Sequence, residues 1–155
     1  MAMKLEATTE AMASARHYSG MRFNMMAAFF ILCALLVNAF INRGSSFDAG
    51  YLAGFGILAS SWFVFCEFLL SYNLAKLWRA ITTEGCADLA GAWPHRHALV
   101  VWAGRLLLPA PYIAGLYGWL RLHPNPSVST WAFSVPIVVW VLMALGWLAA
   151  EKGRW

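Results

Sequence analysis

Long apolar runs dominate the chain at about 23–41, 51–72, 98–120 and 131–150, the second and third separated by a long polar connection, Tyr72 to His97. With a rise of about 1.5 Å per residue, a helix over any one of them, with its flanks, covers a hydrocarbon core of about 30 Å. The pattern predicts an all-α membrane protein with four transmembrane helices in a single polytopic domain, 1–155. Ahead of the first run, the polar, alanine-rich stretch 1–22 carries Leu5, Met12, Ala13 and Arg16 at spacings that suit an interfacial helix or equally a loose tail. The turn-rich connection 44–49, with Ser45, Ser46 and Asp48, makes the first two spans antiparallel neighbours. The second helix is expected to run beyond the membrane to about Thr82, where Thr-Thr-Glu-Gly supplies stop chemistry. Pro109 and Pro111 are expected to kink or open the third span, because each ring removes a backbone donor.

The polar residues inside the runs are few and periodic. In the first span Asn24, Ala28, Ile31, Leu35, Asn38 and Asn42 line one face at helical spacing. An amide in lipid seeks a partner on another helix, so this stripe is expected to face protein. In the second span Ser60, Val64, Glu67 and Ser71 share a face, which turns Glu67 away from lipid. Gly50 and Gly54 have the small-xxx-small spacing that lets helix backbones approach closely.

Composition strengthens the membrane reading. Hydrophobic residues make up 61% of the chain and charged residues 12%, against about a quarter charged in soluble domains. The basic residues sort by side. With four spans, one side holds Lys4, Arg16, Arg22, Lys76, Arg79, Arg96, Lys152 and Arg154, and the other only Arg43 and Arg121. The excess of positive charge places both termini in the cytoplasm. In that orientation Glu67 and Arg105 lie at similar depths on adjacent spans, and an ion pair between them is expected, because an arginine in lipid keeps its proton and a lone carboxylate is costly. The alternative has Arg105 snorkelling to the interface while Glu67 meets a neighbouring subunit or lines a wet cavity.

Candidate chemistry is sparse. Basic residues are scattered singly, which speaks against nucleic-acid binding. Cys33, Cys66 and Cys86 form no CxxC and read as packing residues. His17, His95, His97 and His123 fall outside the expected spans, which disfavours haem ligation in the membrane, and Cys86 with His95 and His97 makes a poor metal set. The reading therefore includes no cofactor, no metal and no catalytic constellation, and it leans against an enzyme. A proton-coupled transporter would need Glu67 unpaired and accessible in turn from both sides.

The residues Arg16-His17-Tyr18 and Arg22-Phe23, followed by the second span with Glu67, Tyr72 and Trp78-Arg79, resemble small bacterial two-span modules, including the SLATT-type effectors. The resemblance covers 15–81 and implies self-assembly into an oligomer of the bacterial cytoplasmic membrane with a pore-forming or membrane-perturbing role. The expected function is a small homo-oligomer that forms or gates a pore. The alternative is a non-catalytic accessory subunit of a larger membrane complex. The expected partners are the lipid bilayer and either further copies of the chain or other membrane subunits.

Overall fold

The computed structural model describes residues 2–42, 48–83 and 106–151. Among them the chain is all-helical. Helix α1, Ala2–Ile41, is one uninterrupted rod of 40 residues, about 60 Å long. No proline interrupts it, and its alanines, methionines and leucines are good helix formers. The polar 1–22 segment is therefore helical from residue 2 onward and continuous with the first span, rather than a loose tail. Helix α2, Ala49–Thr83, follows. Asp48 caps its start: the side-chain Oδ1 accepts from Gly50 N at 2.7 Å, and the carbonyl accepts from Tyr51 N at 3.1 Å.

Helix α3, Ala110–Leu122, begins where the prolines put it. Pro109 and Pro111 stand at its first turn, where missing backbone donors cost little. Leu106 and Leu107 ahead of them are helical and residues 108–109 form a turn, so the prolines open the helix here, as expected. Asn125 then caps the one-turn helix α4, Pro126–Ser129, accepting from Ser127 N at 2.9 Å. A 3₁₀ turn over Thr130–Ala132 leads to α5, Ser134–Glu151. The apolar parts Met12–Ile41 of α1 and Ala49–Leu74 of α2 are each long enough to cross a membrane, and Pro126–Ala132 with Ser134–Ala149, bent by 41°, would make a third candidate. At 13 residues, or about 20 Å, α3 alone is too short. The rest of the expected third span, with Arg105, lies outside the described residues, as does the polar connection from 84 onward.

Helix α2 is the centre of the bundle, packing against α1, α3 and α5. Its register with α1 is antiparallel: Arg22 meets Glu67, Phe29 meets Phe63, and Leu36 clusters with Ala53. Helix α3 also runs against it, with Trp119 over Gly56 and Tyr112 stacked on Phe63 at 5.9 Å. Helix α5 runs parallel to it, since Met143 joins the cluster of Val64 and Gly146 lies on Phe68. The start of α1 and the ends of α2 and α5 consequently share one end of the bundle. Phe29, Val64, Tyr112, Met143 and Trp147 form the main core, while Ile31, Leu58, Trp62 and Ile137 face outward, as lipid-facing positions do.

Because lipid tails are as apolar as leucine, close packing rather than hydrophobic sorting must hold the helices together. Glycine makes the close contacts possible, at positions other than the expected pair. A Cβ at Gly54 would meet nothing within 4 Å, and one at Gly50 would touch only Asp48 and Pro124. The tight approaches are at Gly56, where the Trp119 ring occupies the space of a side chain, at Gly115, where Phe29 Cζ lies 2.6 Å from the Cβ position, and at Gly146, where Phe68 Cε2 lies at 2.6 Å. The small-xxx-small spacing identified the right end of α2 and the wrong face, because spacing alone does not say which side of a helix has a neighbour.

Candidate functional site

The polar face of α2 is turned into the bundle: Ser60 and Glu67 are fully buried, Val64 and Ser71 nearly so. Glu67 meets Arg22 of α1 side-on. Arg22 Nη2 lies 2.9 Å from Glu67 Oε1, and Nε donates to Oε2 at 3.2 Å. Ser71, one turn further along α2, closes the arrangement, accepting from Arg22 Nη2 at 2.7 Å and donating to Glu67 Oε1 at 3.0 Å. The planar fork of arginine suits such a two-point contact, which a lysine would not reproduce.

Depth explains why this pair is tolerated. Arg22 is about 28 Å along α1 from Ile41, and Glu67 about 27 Å along α2 from Ala49, so with both helices spanning a core about 30 Å thick from that end the two would meet near its far edge. Glu67 is wholly enclosed, while the Arg22 side chain retains 14% exposure. Arg105, the expected partner, lies outside the described residues; among those described, Glu67 is engaged by Arg22 and Ser71. Sequence reading missed Arg22 because it looked like a bracket at the end of a span. The signal was present nonetheless: counting back equal distances from the short connection puts residues 22 and 67 level.

A second set of polar groups surrounds this one. Tyr112 and Trp147 are fully buried, and among the described residues Tyr112 OH and Trp147 Nε1 have no hydrogen-bond partner; the same holds for Ser60 Oγ. Tyr112 lies within electrostatic reach of both Glu67 and Arg22. Neither aromatic residue stood out in the sequence, since tyrosine and tryptophan near span ends are ordinary membrane anchors.

The asparagine stripe of α1 is on the outside. Asn24, Asn38 and Asn42 are exposed, and Asn42 Nδ2 donates to Asn38 Oδ1 at 2.6 Å within the helix. The expectation that this stripe faces protein is not met within one chain: α1 turns its Phe29, Leu36 side to α2 and leaves the amides free of the bundle. Among the described residues no three histidine, cysteine or acidic side chains converge as a metal site would require. Cys86, His95 and His97 lie outside the described residues. The open grooves among the described residues are apolar, one lined by Ala110, Ile113, Tyr117 and Ile137, another by Leu32, Leu58, Trp62 and Phe65. No family model, curated protein or solved structure matches the chain.

Proposed function

We propose that the chain is a multi-pass protein of the bacterial cytoplasmic membrane that assembles from identical copies and forms or gates a pore, with the outer face of α1 turned to a shared axis. The exposed stripe Asn24, Asn38, Asn42 carries this reading. An amide facing lipid is costly, and one amide both donates and accepts, so the stripe is complementary to its own copy. Between Asn24 and Asn38 the same face presents Ala28, Ile31 and Leu35, all exposed. Polar ends around an aliphatic middle are the makings of a hydrophobic constriction, which closes a pore by shedding water. The inner stripe of α2 is removed from consideration as a lining, because Glu67 and Ser71 are occupied by Arg22. Resemblance of 15–81 to SLATT-type modules points the same way, and the excess of lysine and arginine near the two termini and between spans two and three puts those ends in the cytoplasm.

The test combines native mass measurement in mild detergent with conductance in planar bilayers. A single-component ring is expected, with a current that rises for Leu35→Asn and stays unchanged for Glu67→Gln in any variant that still assembles; reporters fused to both termini should read cytoplasm. A monomer that copurifies with other chains would replace this reading with the second one, an accessory subunit whose amide stripe is covered by a foreign helix. A well-formed ring that carries no current even as Leu35→Asn would remove the pore.

A further inference from the structure

The orphaned donors at the heart of the bundle fit no part of a pore lined by α1, and they require an acceptor. A buried N–H or O–H without a partner costs about 1–3 kcal/mol, and such groups in native proteins are usually satisfied by ordered water. Tyr112 OH and Trp147 Nε1 are two such groups, both on fully buried side chains in the cluster that includes Val64. Val64 precedes Glu67 by one turn on the same face of α2. Register sets both residues within about a turn of that carboxylate along α2. Helix α3 places Tyr112 on Phe63, one turn from Glu67 along α2. Helix α5 runs parallel to α2 with Gly146 on Phe68, so Trp147 stands level with Glu67 and Ser71.

Glu67 also has capacity to spare. Its Oε1 accepts from Ser71 and lies 2.9 Å from Arg22 Nη2, whereas Oε2 accepts one bond, from Arg22 Nε. A carboxylate oxygen accepts about two hydrogen bonds, so Oε2 has room for another donor. We propose that the space between Tyr112, Trp147 and Glu67 is a binding site for one buried water, which accepts from Tyr112 OH and Trp147 Nε1 and donates to Glu67 Oε2. Three polar partners are the usual complement for a buried water. The bridge would make Glu67 the common anchor of every helix in the bundle core: α1 through Arg22, α2 through Ser71, α3 through Tyr112 and α5 through Trp147.

The experiment is a set of double-mutant cycles on the full chain in bilayer discs, pairing Tyr112→Phe and Trp147→Phe with Glu67→Gln and reading the folded-to-unfolded ratio in a denaturing-detergent titration. Tyr112→Phe should lower that ratio by about fivefold, the scale of one hydrogen bond, and Trp147→Phe by more, because it also leaves a cavity. The loss should shrink clearly below that in the Glu67→Gln background, because the bridge has lost its charged end. Tyr112→Phe and Trp147→Phe that are neutral or stabilising, with no coupling to residue 67, would overturn the proposal. Should Glu67→Gln fail to fold, infrared difference spectra of the unaltered chain after exchange into ¹⁸O-labelled water decide the matter. A single strongly bonded water band, absent from both aromatic variants, supports the site; no such band rejects it.

Discussion

At the level of single residues, the Arg22–Glu67 contact governs what a substitution does. Removing one partner strands the other: Arg22→Met leaves a fully enclosed carboxylate without a counter-charge and should destabilise by about 3 kcal/mol, less if the carboxyl takes up a proton. Replacing both together, Arg22→Met with Glu67→Leu, should restore much of the loss, because well-packed apolar groups commonly do as well as a buried pair. Denaturing-detergent titrations of the single and double variants measure this. A double variant no more stable than Arg22→Met would mean that the charges do not act as a pair. The burial of Glu67 was legible from sequence, since Ser60, Val64, Glu67 and Ser71 recur at helical spacing. The partner was not, because counting along the sequence admits Arg22 and Arg105 alike, and only the rotation of α1 about its own axis places Arg22 over Glu67.

At the level of helices, glycine decides which faces can meet. Gly56→Ala would drive a methyl group into the ring of Trp119, itself almost fully buried with no room to retreat, and should cost roughly 1–3 kcal/mol. Gly54→Ala meets nothing and, by helix propensity, should be neutral or stabilising by up to about 1 kcal/mol. Opposite signs from glycines so close in sequence would be read directly in thermal melts in detergent; equal losses would show that Gly54 too has a close neighbour. Helix positions and types were open to sequence reading, because apolar length and turn chemistry at Asp48, Pro109 and Asn125 mark them locally. The continuation of α1 through its polar first half was only half legible, since the spacing of Leu5, Met12, Ala13 and Arg16 suits a helix and a loose tail alike, and its helicity rests on growth from the span already nucleated. What the outward asparagines face was not legible for a related reason. Periodicity groups residues on a face, but says nothing of whether this chain or another covers it.

For the molecule as a whole, the clamp between α1 and α2 bears on how the protein meets bilayers of different thickness. Independent helices can answer hydrophobic mismatch by sliding or tilting separately, each at a cost of a fraction of a kcal/mol per Å. Here the Arg22–Glu67–Ser71 contact fixes the axial offset of the two rods near one membrane face, while Phe29 and Leu36 fix it deeper down. In short-chain and long-chain lipids the two rods should change inclination by equal amounts, as read from isotope-labelled residues on each in oriented bilayers, and the Arg22→Met, Glu67→Leu double variant should let them diverge. Unequal changes in the unaltered chain would show that the contact does not set their offset. If the rods are locked, the hairpin senses bilayer thickness as one rigid plank, and the polar first half of α1, rooted in that plank, turns a change of a few ångströms in the lipid into a swing of its far end outside the membrane.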